Sequence, residues 1–278
     1  MDWLIEPFEL AFQQRALLAG ALASVALAVV GTWVVIRGMA FLGDALAHGV
    51  VPGIALALLV DVNPLLGAAA AAAVMVLAIS AVHRQTHIGE DTSIGLLFAG
   101  MLGLGVILVS ATPSYTGDLT AILFGDVLGV TTTDLWLLVG VLGVTVAVST
   151  LFYRPFLVLA FNEQKAELLG LRPKVAHAVM LGLMTVAIIG SFQTVGTLLV
   201  FGLLVGPPAT AALLVRRVPA MMLAAALIGI VSVVVGLLVS YHAGTAGSAT
   251  MAVVPVVLFF GVLGAKSAMA GVRRVAAS

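Results

Sequence analysis

Between residues 16 and 265 the chain is a succession of apolar runs, at about 16–36, 41–60, 65–82, 92–111, 135–153, 175–191, 195–215, 219–240 and 249–265. A helix rises 1.5 Å per residue and needs about 20 apolar residues to cross a hydrocarbon layer of roughly 30 Å, so each run reaches or approaches a membrane span. In lipid every backbone polar group must be paired within a helix or a closed barrel, and these runs lack the alternation of barrel strands. The pattern predicts an all-α, polytopic integral membrane protein of about nine transmembrane helices, a single transmembrane domain over 1–278. Composition agrees, with 62% hydrophobic and only 9% charged residues where soluble domains carry about a quarter. Twelve basic and twelve acidic side chains cancel, which gives no reason to expect nucleic acid as a partner. The absence of cysteine excludes disulfides, thiolate metal sites and cysteine nucleophiles together.

The basic residues orient the spans. Arg37, Arg84, the set Arg154, Lys165, Arg172 and Lys174, the pair Arg216 and Arg217, and finally Lys266, Arg273 and Arg274 follow runs one, three, five, seven and nine. The intervening connections hold Asp61, then Asp118, Asp126 and Asp134, then SFQT and YHAGTAGS, with no Lys or Arg. By the positive-inside rule the amino terminus lies outside and the carboxyl terminus in the cytoplasm. The leading MDWLIEPFELAFQQR carries three acids before its one Arg, the reverse of a secretory signal, and reads as a retained amphipathic lead-in.

Two kinds of interruption stand out. LTAILFGDVLG (119–129), between runs four and five, is too short to cross and reads as a re-entrant or interfacial helix on the outer side. Pro52, Pro207, Pro208 and Pro255 fall inside runs, and broken membrane helices are tolerated where they line a cavity or are wrapped by neighbours.

The stretch GDALAHGVVPG (43–53) places Asp44 and His48 one helical turn apart, on one face of an apolar helix. Counted from residue 41, the rise puts His48 roughly 10 Å into the layer. An ionisable group there costs at least about 2.5 kcal/mol on insertion scales, so something must offset it. Pro52 has no N–H for the carbonyl of residue 48, which would leave carboxylate, imidazole and carbonyl atoms within one turn. Oxygen and nitrogen ligands suit divalent first-row cations such as Mn(II), Fe(II) and Zn(II). Two ligands do not complete a shell, so a symmetric copy or other helices must contribute. A local Asp–His pair serving packing alone is the competing explanation. His83 and His87 in an inner turn, His177 at the start of run six and His242 in an outer loop are weaker candidates.

The longest inner connection is RPFLVLAFNEQKAELLGLRPK (154–174). Asn162 is a good N-cap, Glu163 to Leu169 favour helix, and Gly170 followed by Pro173 ends it. Such a helix rests at the headgroups or docks a cytoplasmic protein. Nothing catalytic accompanies it. GVLGAKS (261–267) lacks the glycine a phosphate loop needs before its lysine, and neither HExxH nor GxSxG occurs. The chain therefore reads as a transporter component, not an enzyme. A secondary transporter or channel working without an ATPase is the alternative function.

Taken together, GDALAHGVVPGIALALL, EDTSIGLLFAGMLGLGVILVS, LTAILFGDVLGVTTTDL, FNEQKAELLGLRPK and VGTLLVFGLLVGPPATAALL resemble the membrane permease subunit of zinc/manganese/iron ABC importers, the ABC-3 type. The likeness runs from about residue 16 to 265. It implies a type II ABC importer-like permease that dimerises around a central channel. It also implies two cytoplasmic ABC ATPase subunits, a metal-binding protein on the outer side, and a divalent metal ion carried as substrate with no permanently bound cofactor. On this resemblance Asp44 and His48 are the metal ligands. Asn162, Glu163, Ala166, Leu169 and Gly170 belong to the helix that couples to the ATPase, within a coupling segment 154–174. The double proline Pro207–Pro208 departs from the family's single proline followed by a small residue.

Overall fold

The computed structural model describes residues 6–85, 90–110, 129–161, 168 and 170–275, and among these every regular element is helical. A single 3₁₀ turn, Glu6–Glu9, leads into α1 (Ala11–Ile36). There follow α2 (Ala40–Gly49), α3 (Val51–Leu59), α4 (Pro64–Gln85), α5 (Glu90–Ser110), α6 (Thr132–Leu151) and α7 (Tyr153–Phe161). The chain closes with α8 (Pro173–Val195), α9 (Thr197–Leu214), α10 (Val218–Ala243) and α11 (Gly247–Val275). With α2 and α3 taken as one crossing, eight elements among the described residues have the length and apolarity of a membrane span. The ninth, α5, carries the shorter apolar stretch Thr92–Leu108. The nine-crossing layout expected from the runs is thus present.

The core is built around α1, which packs against α6, α8, α9 and α10. Its Ala16, Ala19, Ala23, Leu27 and Trp33 are shut off from the surroundings on a helix composed largely of small residues. Between membrane helices there is no hydrophobic drive, so close van der Waals approach through small side chains does that work. One such approach explains the double proline. Pro208 cannot donate to the carbonyl of Leu204, and α9 nevertheless stays helical through both prolines. The bare Cα of Gly31 lies against that Leu204 oxygen; any Cβ at Gly31 would run into the oxygen and come within 2.9 Å of Pro208 Cγ. A neighbouring helix thus covers the backbone group that the proline leaves unpaired, as lipid requires.

Trp33 ties one end of the bundle together. Its Nε1–H donates to Ser149 Oγ of α6 at 2.9 Å, and its ring meets Tyr153 and Phe156 of α7 edge-on at 5.6 and 5.5 Å. The sequence reading carried run five to residue 153, but α6 stops at Leu151 and a separate amphipathic helix, α7, follows it. The aromatic anchors bury Phe156 and Leu159 on one side of α7 and leave Phe161 on the other exposed. At the opposite end of α6, Thr131 and Asp134 form a capping box, each side chain accepting from the other's backbone N–H. Two boundaries also move: α1 begins five residues before the run that announced it, and α11 continues ten residues past residue 265. The 119–129 segment lies outside the described residues, apart from Gly129.

Candidate metal-binding site

The crossing that carries Asp44 and His48 is broken in its middle. α2 ends at Gly49, Val50 is the junction, and Pro52 lies in the first turn of α3. A proline is tolerated there because first-turn N–H groups have no intrahelical acceptor. The Val50 N–H is turned toward the carbonyl of His48 two residues back, too tight a spacing for a helical hydrogen bond, and Pro52 cannot supply the usual helical donor to that oxygen.

Both halves are held from behind. Leu42, Ala45, Leu46 and Ala47 of α2 are buried, Gly43 abuts Leu204 of α9, and Gly49 sits beneath the Met75 sulfur of α4. α3 is fixed to α4 where Gly53 crosses Gly67. With one face of α2 so occupied, Asp44 and His48 are left on the other.

There the two side chains meet. His48 Nδ1 lies 3.3 Å from Asp44 Oδ1 and 3.2 Å from the Asp44 carbonyl oxygen, and the side chains keep 28% and 27% of their surface open. With Nδ1–H given to Asp44, the Nε2 lone pair is the atom presented to a cation, the usual way in which a carboxylate orients a metal-binding imidazole. Phe98 of α5 stands edge-on to the His48 ring at 6.2 Å and is itself braced by Phe41 at 5.9 Å. Nothing in GLLFAGM marks Phe98 as special in the sequence; only the fold brings α5 against α2.

Among the described residues no third His, Asp or Glu joins this pair. One chain therefore offers a half-shell, one carboxylate and one imidazole on a partly open face. Beyond His48, Pro52, Leu56, Val60, Leu66, Val74 and Leu104 border an apolar groove of about 500 Å³ between α3, α4 and α5. Its walls carry no His, Asp or Glu.

The other histidines are engaged elsewhere. Arg37, at the end of α1, donates to His177 Nδ1 at 3.0 Å, and His242 Nδ1 lies 2.9 Å from the Leu238 carbonyl beside the Tyr241 ring. The His83 side chain and His87 lie outside the described residues. Of the residues expected to couple to an ATPase, Gly170 is described. It adopts φ +68°, the left-handed conformation that favours glycine, and borders a hollow of about 380 Å³ with Arg172, Pro173 and Lys174. Asn162, Glu163, Ala166 and Leu169 lie outside the described residues.

The family model described as the ABC 3 transport family matches residues 9–266. The chain is 36% identical over 249 residues to the manganese transport system membrane protein MntC of Listeria monocytogenes, covering 90% of this chain and 89% of that protein. It is 31% identical over 254 residues to the chelated iron transport system membrane protein YfeD of Yersinia pestis, covering 91% and 85%. Among solved structures, PsaBC from Streptococcus pneumoniae in complex with Fab superposes with a TM-score of 0.83 and 28% identity over 94% of both chains.

Proposed function

This chain belongs to the ABC 3 transport family, and from that premise we propose that it is the membrane permease subunit of an ATP-driven importer for a divalent transition metal ion, manganese, iron or zinc. It is a multi-pass protein of the cell membrane. The observation that carries the reading is the Asp44–His48 pair, an oxygen and a nitrogen ligand 3.3 Å apart, partly open, on a helix broken just beyond them. Relatives named as manganese and iron transport-system membrane proteins support it over a transporter or channel that works without an ATPase.

The pathway runs at the junction of two copies. Each contributes one carboxylate and one imidazole, so two Asp44 side chains balance the charge of one divalent ion and two His48 rings complete a mixed oxygen and nitrogen shell. A site made of borrowed halves also releases readily, since separating the copies by a small distance halves the ligand count. A cytoplasmic ATPase acts through the 162–170 helix, where Asn162, Glu163, Ala166, Leu169 and Gly170 form the docking element, and the outer face receives metal from a binding protein. The amino terminus is outside and the carboxyl terminus cytoplasmic. ATP hydrolysis takes place on the ATPase and not on this chain.

The test is uptake of radioactive Mn(II) into proteoliposomes containing the chain with its ATPase. Uptake that requires ATP, and that Zn(II) or Fe(II) competes, supports the assignment. Uptake by the chain alone, at the same rate without ATPase, overturns it.

A further inference from the structure

α9 and α11 run side by side and enclose a second groove, of about 510 Å³, lined by apolar residues throughout. It exists because α9 presents Gly202, Gly206 and Ala209 along one stripe, with Gly202 settled on Ala252 and Gly206 on Pro255. Val253 and Val256 on its rim are 58% and 45% exposed, so the groove opens to the surroundings of the bundle, which for a membrane helix means lipid chains.

At the cytoplasmic end the same two helices carry cations. Lys266 of α11 donates to the Leu213 carbonyl at the end of α9, Arg216 and Arg217 follow immediately in the connection to α10, and all three are exposed. No carboxylate among the described residues forms an ion pair with any of them. The sequence supplies none nearby either: from residue 168 to 278 the chain has seven Lys and Arg and not one Asp or Glu. From Ala209, at the lower end of the groove, to Leu213 the helix advances only about 6 Å.

An apolar furrow that ends about two turns from three cations, none paired with a carboxylate among the described residues, has the polarity of one kind of molecule. We infer that α9 and α11 hold an anionic phospholipid of the cytoplasmic leaflet, its phosphate against Arg216, Arg217 and Lys266 and one acyl chain laid over Gly206, Ala209, Val256 and Phe259. A zwitterionic lipid fits the furrow equally but gains little from the cations. A helix of a second copy fills the furrow but leaves the charge unmet. The inference requires the orientation given above and is independent of which metal is carried.

The experiment is native mass spectrometry of the full chain with equal amounts of phosphatidylglycerol and phosphatidylcholine bearing the same acyl chains. A basic residue at an anionic surface contributes a factor of about five, so three of them give the wild-type protein at least about tenfold preference for phosphatidylglycerol. R216Q/R217Q/K266Q brings the preference close to parity, R216K/R217K retains it, and Val256→Trp, which fills the furrow, lowers retention of both lipids severalfold. Parity in the wild-type protein overturns the inference without recourse to any variant. So does a preference that survives R216Q/R217Q/K266Q, and if that variant instead fails to co-purify with the ATPase, the cations belong to the ATPase contact. Unchanged retention in Val256→Trp removes the chain from this furrow and likewise overturns it.

Discussion

Gly53 of α3 and Gly67 of α4 cross so closely that a Cβ on either would strike the carbonyl oxygen of the other. The contact is reciprocal, each Cα–H directed at the opposite backbone, and it comes one residue after Pro52, at the point where the crossing that carries Asp44 and His48 resumes its helix. It fixes the angle at which α3 leaves the Asp44–His48 turn.

Gly67→Val should therefore cost stability through overpacking, on the order of 1–3 kcal/mol, and splay α3 from α4. A thermal melt of the purified protein should show a lowered Tm. An unchanged Tm would mean that the two helices part without penalty and that this crossing does not hold the break in place.

Trp33→Phe removes the donor to Ser149 Oγ, a side chain only 3% exposed, while keeping most of the aromatic contact with Tyr153 and Phe156. Leaving a buried polar group unpaired costs about 1–3 kcal/mol. The melt should shift downward while metal uptake at low temperature stays near wild type, since neither residue touches the Asp44–His48 face.

Phe98→Ala should weaken transport without abolishing it. The edge contact with His48 is worth about 0.5–1.5 kcal/mol by the usual measure of aromatic pairs, which converts to a two- to roughly tenfold rise in the metal concentration for half-maximal uptake. Phe98→Tyr should restore much of the loss, whereas a merely space-filling role would be served equally by Phe98→Leu.

Glu163→Ala and Gly170→Val address the proposed ATPase contact. Gly170 occupies φ +68°, where a β-branched residue is strained, so the second change should disturb the end of the segment proposed to dock the ATPase. Both should lower metal-stimulated ATP hydrolysis in the assembled importer severalfold while leaving metal binding by the permease unaltered. Equal loss of metal binding would place these residues in the pathway instead.

The crossings, and the acid and imidazole on one face, were legible in the sequence because they depend on short-range periodicity: about 20 apolar residues for a span, four residues for a turn. What escaped depends on which helices touch. That α2 and α3 part at Val50 follows from Pro52, but the Gly53–Gly67 crossing that holds the break depends on α4 arriving beside α3. Phe98 gained its place only when α5 came against α2. α7 was hidden because RPFLVLAF reads as the start of the inner connection 154–174 until Trp33, far earlier in the chain, offers a surface for Phe156 to pack on. The double proline looked like a disruption, and Gly31 on another helix makes it tolerable.

The central claim is that Asp44 and His48 handle the metal. Its most direct measure is ATP-driven Mn(II) uptake by the reconstituted importer carrying Asp44→Asn or His48→Ala, with co-purification of the ATPase scored in parallel. Asp44→Asn keeps the size and a hydrogen-bonding oxygen but removes the charge, so uptake should fall to the level seen without ATP while the ATPase remains bound. Wild-type uptake rates in either variant would contradict the account.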